Sequence, residues 1–202
     1  MKKFITLALA LCMALSASIC ASAAEVNTDG GSGSTPVYLS STEDGTLEGE
    51  PSATAMSVTV PTALPMAMSQ TGDVTTADNC QIINNSYGAV RVKSVNITTA
   101  NGWRLTSFGD KSTLASEKVD SNKLGFALSI GGGTQVMTDT SDESSQMLIS
   151  SPIAGCYMSG IGNTSGNAVS VDYDAIVTPL SSAVTNANIA NVVFVIEWDT
   201  AA

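Results

Sequence analysis

The strongest constraint on the fold is a two-residue alternation of apolar and polar side chains. It is clearest in residues 89–97, where Val and Ile fall on one face until the phase slips near Ser94, and it recurs in residues 57–60. This period places alternate side chains on opposite faces of a β-strand, and the slip predicts a bulge or a bend. By the same criteria, further strands are predicted at residues 81–83, 103–108, 123–130, 146–149, 169–178 and 192–198.

The spacers between these strands are rich in turn residues, and the clearest are residues 84–88, 101–102, 131–133 and 160–167. Helical signals are confined to two short stretches, residues 112–119 and 180–187, which Ser, Thr and Asn weaken as helices. Many short strands without helical or repeat periodicity favour two packed sheets. We therefore predict an all-β fold for residues 56–202, an antiparallel two-sheet β-sandwich of the immunoglobulin-like or jelly-roll kind.

The start of the chain has the composition of an export signal. A basic pair precedes an apolar run from residue 4 to residue 19, and residues 21–24 supply the small side chains that a signal peptidase requires. We predict that residues 1–24 are a signal peptide cleaved near Ala23 or Ala24. The mature protein is expected to be secreted, and to be extracellular or associated with the cell surface.

Residues 25–55 form an acidic segment rich in Gly and Ser, which we expect to be flexible. One short part of it, Pro36, Val37, Tyr38 and Leu39, is extended and apolar enough to pair as a strand where a sheet edge is open. Pairing with its own domain, pairing with a neighbouring molecule and disorder are the three alternatives at this stage.

The chain carries a formal net charge of −10, and the predicted signal contains basic but no acidic residues. An acidic surface opposes binding to nucleic acid or anionic lipid, because a protein binds either of these anionic partners through clustered Lys and Arg side chains. We therefore expect no nucleic-acid partner and no membrane contact after signal cleavage. An anionic wall polymer would be repelled at long range, so contact with it would have to be short-range or bridged by cations.

Cys80 and Cys156 are the two cysteines that remain after the predicted signal. Because exported proteins meet an oxidising environment, a disulfide between them is the simplest use of both, and two thiols are the alternative. A disulfide that closes so long a loop would stabilise the fold by about 4 kcal/mol.

The sequence contains no histidine, which excludes Ser-His-Asp and Cys-His catalysis and every His-ligated metal site. Asp172 and Asp174 fall on one strand face, as Glu197 and Asp199 do, but alternating charges usually mark the solvated side of a strand. The acidic loop at residues 139–143 lacks the ligand spacing of a calcium loop. We predict a protein with no catalytic residues, no metal and no cofactor.

Two tryptophan motifs connect the chain to a known family. Trp103 and Leu105 form a Trp-x-Leu motif on a predicted strand. Trp198 is the last residue of the final predicted strand, and Thr200 stands where a second Trp-x-Leu motif would have its leucine. In spacing and context the chain resembles the WxL-domain cell-surface proteins of Gram-positive bacteria over residues 56–200. The resemblance implies non-covalent binding to the cell wall, with Trp103, Leu105 and Trp198 as binding residues.

The chain is also similar to exported β-sandwich matrix subunits of the TasA and camelysin kind, through residues 57–62, the turn at residues 84–86 and the strand-rich body. This similarity implies self-assembly, with residues 36–39 as a donor strand that completes a neighbour's sheet. We expect a secreted, non-enzymatic module that binds a cell-wall polymer or another surface protein. The alternative is a self-assembling fibre or extracellular-matrix subunit, whose partner is a second copy of itself.

Overall fold

The computed structural model describes residues 24–25, 27–36, 55–69, 71–163 and 166–200. The predicted signal, apart from Ala24, lies outside these residues. In chain order the elements are β1 Ala24–Glu25, β2 Ser32–Pro36, β3 Val58–Val60, β4 Met66–Met68, β5 Val74–Thr76, β6 Gln81–Asn84, β7 Val90–Thr99, β8 Arg104–Leu105, α1 Ser112–Ala115, β9 Lys123–Ile130, β10 Val136–Met137, β11 Ser145–Ile149, β12 Tyr157–Met158, β13 Ala168–Val177 and β14 Ala190–Trp198.

Two antiparallel sheets pack against each other. The larger sheet has the order β1-β3-β6-β13-β9-β10, with β8 added to β9 in parallel. The smaller sheet has the order β11-β7-β14-β2, with β12 also paired to β7, and β4 and β5 form a separate hairpin. The predicted all-β, antiparallel two-sheet sandwich is therefore confirmed.

The core lies between the inward faces of the four longest strands. Phe194 on β14 and Phe126 on β9 are among its largest side chains and are fully buried. Around them pack the alternate residues of these strands, Val92, Val95, Ile97, Val192, Ile196, Leu124, Leu128, Ile130, Val171 and Tyr173. Burial of each such side chain stabilises the fold by about 1.5 to 3 kcal/mol, so the contacts among these alternate residues hold the two sheets together.

A bulge in β7 accounts for the phase slip in its sequence. Along β14, Val195 pairs with Ser94 and the next residue, Ile196, pairs with Val92, so Lys93 is the extra residue. The bulge turns both Lys93 and Ser94 away from the core and returns the residues on either side to it. The predicted irregularity near Ser94 is confirmed.

The Asn84 turn is closed by a buried amide. Asn84 is fully buried, and its Nδ2 donates to the carbonyls of Gly88 and Ser159 at 2.8 and 2.9 Å, while its Oδ1 accepts the N–H of Ser86. These bonds satisfy the amide where an unpaired polar group would cost free energy. A Cβ at Gly160 would lie 1.9 Å from the carbonyl oxygen of Tyr87, so glycine is required at that position.

Some predicted elements differ from those observed. The strand predicted at residues 103–108 is reduced to Arg104–Leu105, and the stretch predicted as helical at residues 180–187 consists of bends and coil. The strand that we expected at residues 36–39 is observed at Ser32–Pro36, and the two share only Pro36. Val37, Tyr38 and Leu39 lie outside the described residues.

The expected disulfide is not present. Cys80 immediately precedes β6 in the larger sheet, where its carbonyl accepts the N–H of Val171, whereas Cys156 precedes β12 in the smaller sheet and its carbonyl accepts the N–H of Val92. The alternative of two buried thiols therefore holds.

We expect the chain that begins at Glu25 to hold two thiols that a disulfide-exchange reagent reaches only after unfolding. Both are buried, and loss of solvation raises the pKa of Cys156, so little reactive thiolate forms in the folded state. Titration with Ellman's reagent, without reductant, in native buffer and in denaturant measures this. Absence of thiol from the denatured, unreduced sample, with its recovery after reduction, would contradict the structure.

Candidate functional site

The outer edge of β14 is completed by the N-terminal strand β2. The two strands run antiparallel, with Ser32 opposite Val195 and Pro36 opposite Asn191. At the centre of this pairing the buried Gly33 lies opposite Phe194. A segment that composition predicts to be a flexible linker is thus part of the smaller sheet.

The same segment also reaches the larger sheet. Ala24 and Glu25 pair with Val60 and Thr59 of β3, so the N-terminal residues add one strand to each sheet. Between these strands the carbonyl of Gly31 accepts the N–H of Ile196 at 2.9 Å, and the carboxylate of Asp29 accepts the N–H of Trp198 at 3.0 Å. We call Glu25 and residues 27–36 the N-terminal clasp, because they pair with the edges of both sheets and remain when the predicted signal is removed.

The three residues predicted to bind the wall do not form a common surface. Leu105 is completely buried, and its backbone bonds to the loop at residues 142–143. Trp103 lies beyond the end of β7 that pairs with Ala190, whereas Trp198 lies at the other end of β14. At about 3.3 Å per residue, β14 is about 26 Å long from Ala190 to Trp198, so the two tryptophans lie near opposite ends of this strand.

Trp198 packs at one end of the sandwich, where its ring covers Gly88. A Cβ at Gly88 would lie 2.8 Å from the Trp198 ring, so the absence of a side chain there makes room for the indole. Tyr87 and Tyr157 are close by in the fold, next to Gly88 and opposite Arg91 respectively, and are 44% and 48% exposed. Trp198 lies opposite the buried Val90 and so faces the core side, whereas Tyr157 faces outward beside Arg91. We call the two exposed tyrosines, Tyr87 and Tyr157, the aromatic patch.

A network of ion pairs lies on the outer face of the smaller sheet beside this patch. Glu197 binds Arg91 at 2.8 Å and Lys93 at 3.0 Å, and Arg91 also reaches Asp199 at 3.3 Å. The hydrogen bond from Lys93, with that from Arg91, holds the pKa of Glu197 below its ordinary value of 4.5. Arg91 and Lys93 lie two residues apart on β7, on either side of the buried Val92, so both project to the outer face of the sheet.

The opposite end of β14 borders an apolar groove. Every side chain that lines it is apolar, and its walls are the β4–β5 hairpin and the loop at residues 178–189; the lining includes Met66, Met68, Val74, Trp103, Val177 and Ile189. The hairpin is anchored to the core by Tyr173, whose hydroxyl donates to the carbonyl of Pro65 and accepts the N–H of Ala77. We call this feature the Trp103 groove.

The predicted solvated carboxylates are on the surface. Asp172 and Asp174 are exposed on β13, where Asp172 accepts a hydrogen bond from Ser170 and Asp174 accepts the N–H of Ala175. Among the residues that the structure describes, no group of three or more His, Cys, Asp or Glu side chains is arranged to hold a metal ion. Over the same residues, no helix is long and apolar enough to cross a membrane.

Sequence reasoning missed the clasp and the groove. The clasp has no alternation of apolar residues to reveal it, because Ser, Gly and Thr dominate β2. The sequence contains only a weak indication of the groove, since Met66 and Met68 alternate with Ala67 ahead of the turn at Gly72.

Comparisons with protein-family models, with curated proteins and with solved structures found no match.

We expect the Glu197→Gln substitution to lower the free energy of unfolding at neutral pH and to matter progressively less in acid. The folded-state pKa of Glu197 lies below 4.5, so its carboxylate stabilises the fold above that pH, and the stabilisation is lost as the pH falls through the lowered value. Urea unfolding of wild type and variant from neutral pH downward measures the difference. Glu143→Gln, in an exposed loop, is the control, and a difference that grows below pH 4.5 would rule out this account.

Proposed function

We propose that the protein is a secreted, non-catalytic structural subunit whose copies join by exchanging the N-terminal clasp. The observation that carries this proposal is that β2 of the clasp completes the edge of β14, and this strand remains when residues 1–24 are removed. A strand that fills an edge within one chain can fill the same edge of a neighbour, because the ladder of hydrogen bonds is identical in the two arrangements. The proposal keeps the self-assembly that the TasA and camelysin similarity implies.

The composition of β2 supports exchange. Gly33 and Pro36 belong to the residue types least favoured in strands, and Pro36 has no N–H with which to extend the ladder. The clasp is joined to the rest of the domain by residues 37–57, which span at most about 70 Å when fully extended. A weak strand on a long connection can leave its own edge at low cost and reach another molecule.

The geometry of exchange favours an open chain of subunits. The clasp and the edges that it fills are different surfaces, so the contact between two copies is head to tail. Each added copy would then offer its own unfilled edges, or its own clasp, to the next one. A reciprocal exchange between two copies would give a closed dimer by the same contacts.

Exchange predicts a specific cross-link between different molecules. Ser34 and Val193 are directly opposite each other in the β2–β14 pairing. We expect Ser34→Cys copies and Val193→Cys copies, both carrying Cys80→Ala and Cys156→Ala, to form disulfide-linked dimers when they are unfolded together, refolded at high concentration and oxidised. Non-reducing electrophoresis measures the product, and size-exclusion chromatography of the wild type measures the accompanying oligomers.

The matched control replaces Val193→Cys by Asn96→Cys, since Asn96 is the partner of Val193 on β7 and is one strand further from Ser34. A chain that carries both Ser34→Cys and Val193→Cys reports the competing arrangement. If that double variant closes only within single chains and the mixture gives no dimer above the Asn96→Cys control, copies do not exchange the clasp.

Binding to a cell wall or a surface partner is the second candidate function, and the aromatic patch supports it. Tyr87 and Tyr157 are 44% and 48% exposed, and aromatic faces are suited to stacking on sugars. Trp103 and Leu105 take no part in this surface.

We expect the Tyr157→Ala substitution to weaken sedimentation with purified Gram-positive cell walls by roughly 2- to 10-fold, the range that loss of one stacking contact gives. Trp103→Phe, at the far end of β14, is the control and should sediment like the wild type. A wild-type protein that stays in the supernatant while a known wall binder sediments would exclude this role.

A further inference from the structure

We infer that Asp29 is a positioning residue that sets the register in which β2 pairs with β14. Its carboxylate accepts the N–H of Trp198 at 3.0 Å, beside the bond from the N–H of Ile196 to the carbonyl of Gly31. The inference goes beyond the proposed exchange and does not require it, because the register is the same whether β2 belongs to the same chain or to a neighbour.

The backbone of β2 cannot choose the register. The bonds of the ladder join N–H and C=O groups that nearly every residue carries, so a shifted pairing can form equivalent bonds. The side chains around β2 are small, since residues 30–34 read Gly-Gly-Ser-Gly-Ser. Register is weakly specified in such Gly-rich strands, so another contact has to distinguish the observed pairing from its neighbours.

The core excludes all but one of the nearest alternatives. In the observed pairing Gly33 is buried opposite Phe194. Directly opposite residues project to the same face, so a one-residue shift in either direction would aim a serine at the core there. A two-residue shift in one direction would aim Thr35 at the core. The same shift in the other direction brings Gly31 opposite Phe194, and we call this arrangement the shifted pairing.

Asp29 distinguishes the observed pairing from the shifted pairing. In the observed register Asp29 lies opposite Trp198, whereas the shifted pairing would carry it to Ile196 and leave the N–H of Trp198 without this acceptor. A carboxylate makes a stronger bond to a backbone N–H than a neutral group does. The shifted pairing alone loses this bond, so the bond favours the observed register.

A β-turn holds Asp29 in place for this bond. The N–H of Gly31 donates to the carbonyl of Thr28 at 2.9 Å, and Gly30 has a φ of 73°, in the left-handed region that favours glycine. This is the arrangement of a type II turn. Because the backbone leaves the ladder at this turn, the Asp29 carboxylate takes the place of a backbone carbonyl opposite the N–H of Trp198.

Disulfide trapping in the chain that begins at Glu25 reads the register. In a Cys80→Ala, Cys156→Ala background, Ser34→Cys with Val193→Cys reports the observed pairing, and Ser32→Cys with Val193→Cys reports the shifted pairing. Directly opposite Cα atoms are about 4.5 to 5.5 Å apart, within the reach of a disulfide. Diagonal neighbours, at about 7 to 8 Å, are beyond it.

We expect Asp29→Ala to raise the ratio of shifted to observed disulfide by roughly 2- to 10-fold, the range that the net loss of one hydrogen bond gives. Mass spectrometry of dilute, oxidised protein measures both yields and separates disulfides within a chain from those between chains. A general loss of stability lowers both yields together, whereas a loss of register raises one yield and lowers the other.

Two variants serve as matched controls. Thr28→Ala removes the neighbouring side chain but keeps the carbonyl that closes the turn, so it should leave the ratio at the wild-type value. Asp29→Asn keeps an oxygen acceptor at the same position and should return the ratio toward that of the wild type. If Asp29→Ala fails to fold by circular dichroism, Asp29→Leu replaces it, because leucine has a similar size and no acceptor.

Three results would overturn the inference: a ratio that Asp29→Ala leaves unchanged, an equal rise in Thr28→Ala, or an Asp29→Asn ratio as high as that of Asp29→Ala. None of them bears on exchange, since copies can donate β2 whichever contact fixes its register. In turn, absence of dimers between Ser34→Cys and Val193→Cys copies leaves this ratio within single chains unaffected.

Discussion

The pairing of β7 with β14 is the interaction on which the rest of the structure depends. This ladder runs the whole length of β14, from Ala190 to Trp198, and it directs Phe194 and its alternate neighbours into the core. The other edge of β14 has backbone groups that also need hydrogen bonds, because an unpaired buried N–H or C=O costs free energy. The N-terminal clasp meets that need, and its place in the fold follows from it.

The strand that completes this edge is unusual in being a poor strand by composition. Gly33, which lies buried opposite Phe194, brings no side chain to the core, and Pro36 has no N–H to donate to the ladder. The edge is therefore filled by hydrogen bonds more than by side-chain packing. An edge held in this way is satisfied equally well by the same segment of another molecule, which is the physical basis of the proposed assembly.

The two ends of β14 have different chemistry, and the clasp runs between them. At one end Asp29 accepts the N–H of Trp198, beside the aromatic patch and the ion pairs of Glu197. At the other end Pro36 lies opposite Asn191, and the Trp103 groove borders the same end of β14. A polar, aromatic surface and an apolar recess thus lie at opposite ends of β14, a strand about 26 Å long. A molecule that loses its clasp would therefore lose the hydrogen bond of Asp29 at one end of β14 and the pairing of Pro36 at the other.

The sequence by itself determined the architecture, because alternation with a period of two is a local property that reports which face of each strand is buried. It located the four long strands and the irregularity near Ser94, and it identified Asp172 and Asp174 as surface residues. The candidate functional site could not be predicted from the sequence. Only the tertiary structure decided that β2 is a strand, that Leu105 is core while Trp103 and Trp198 lie at opposite ends, and that Cys80 and Cys156 belong to different sheets. Each of these depends on register and sheet order between distant segments, which no local pattern encodes.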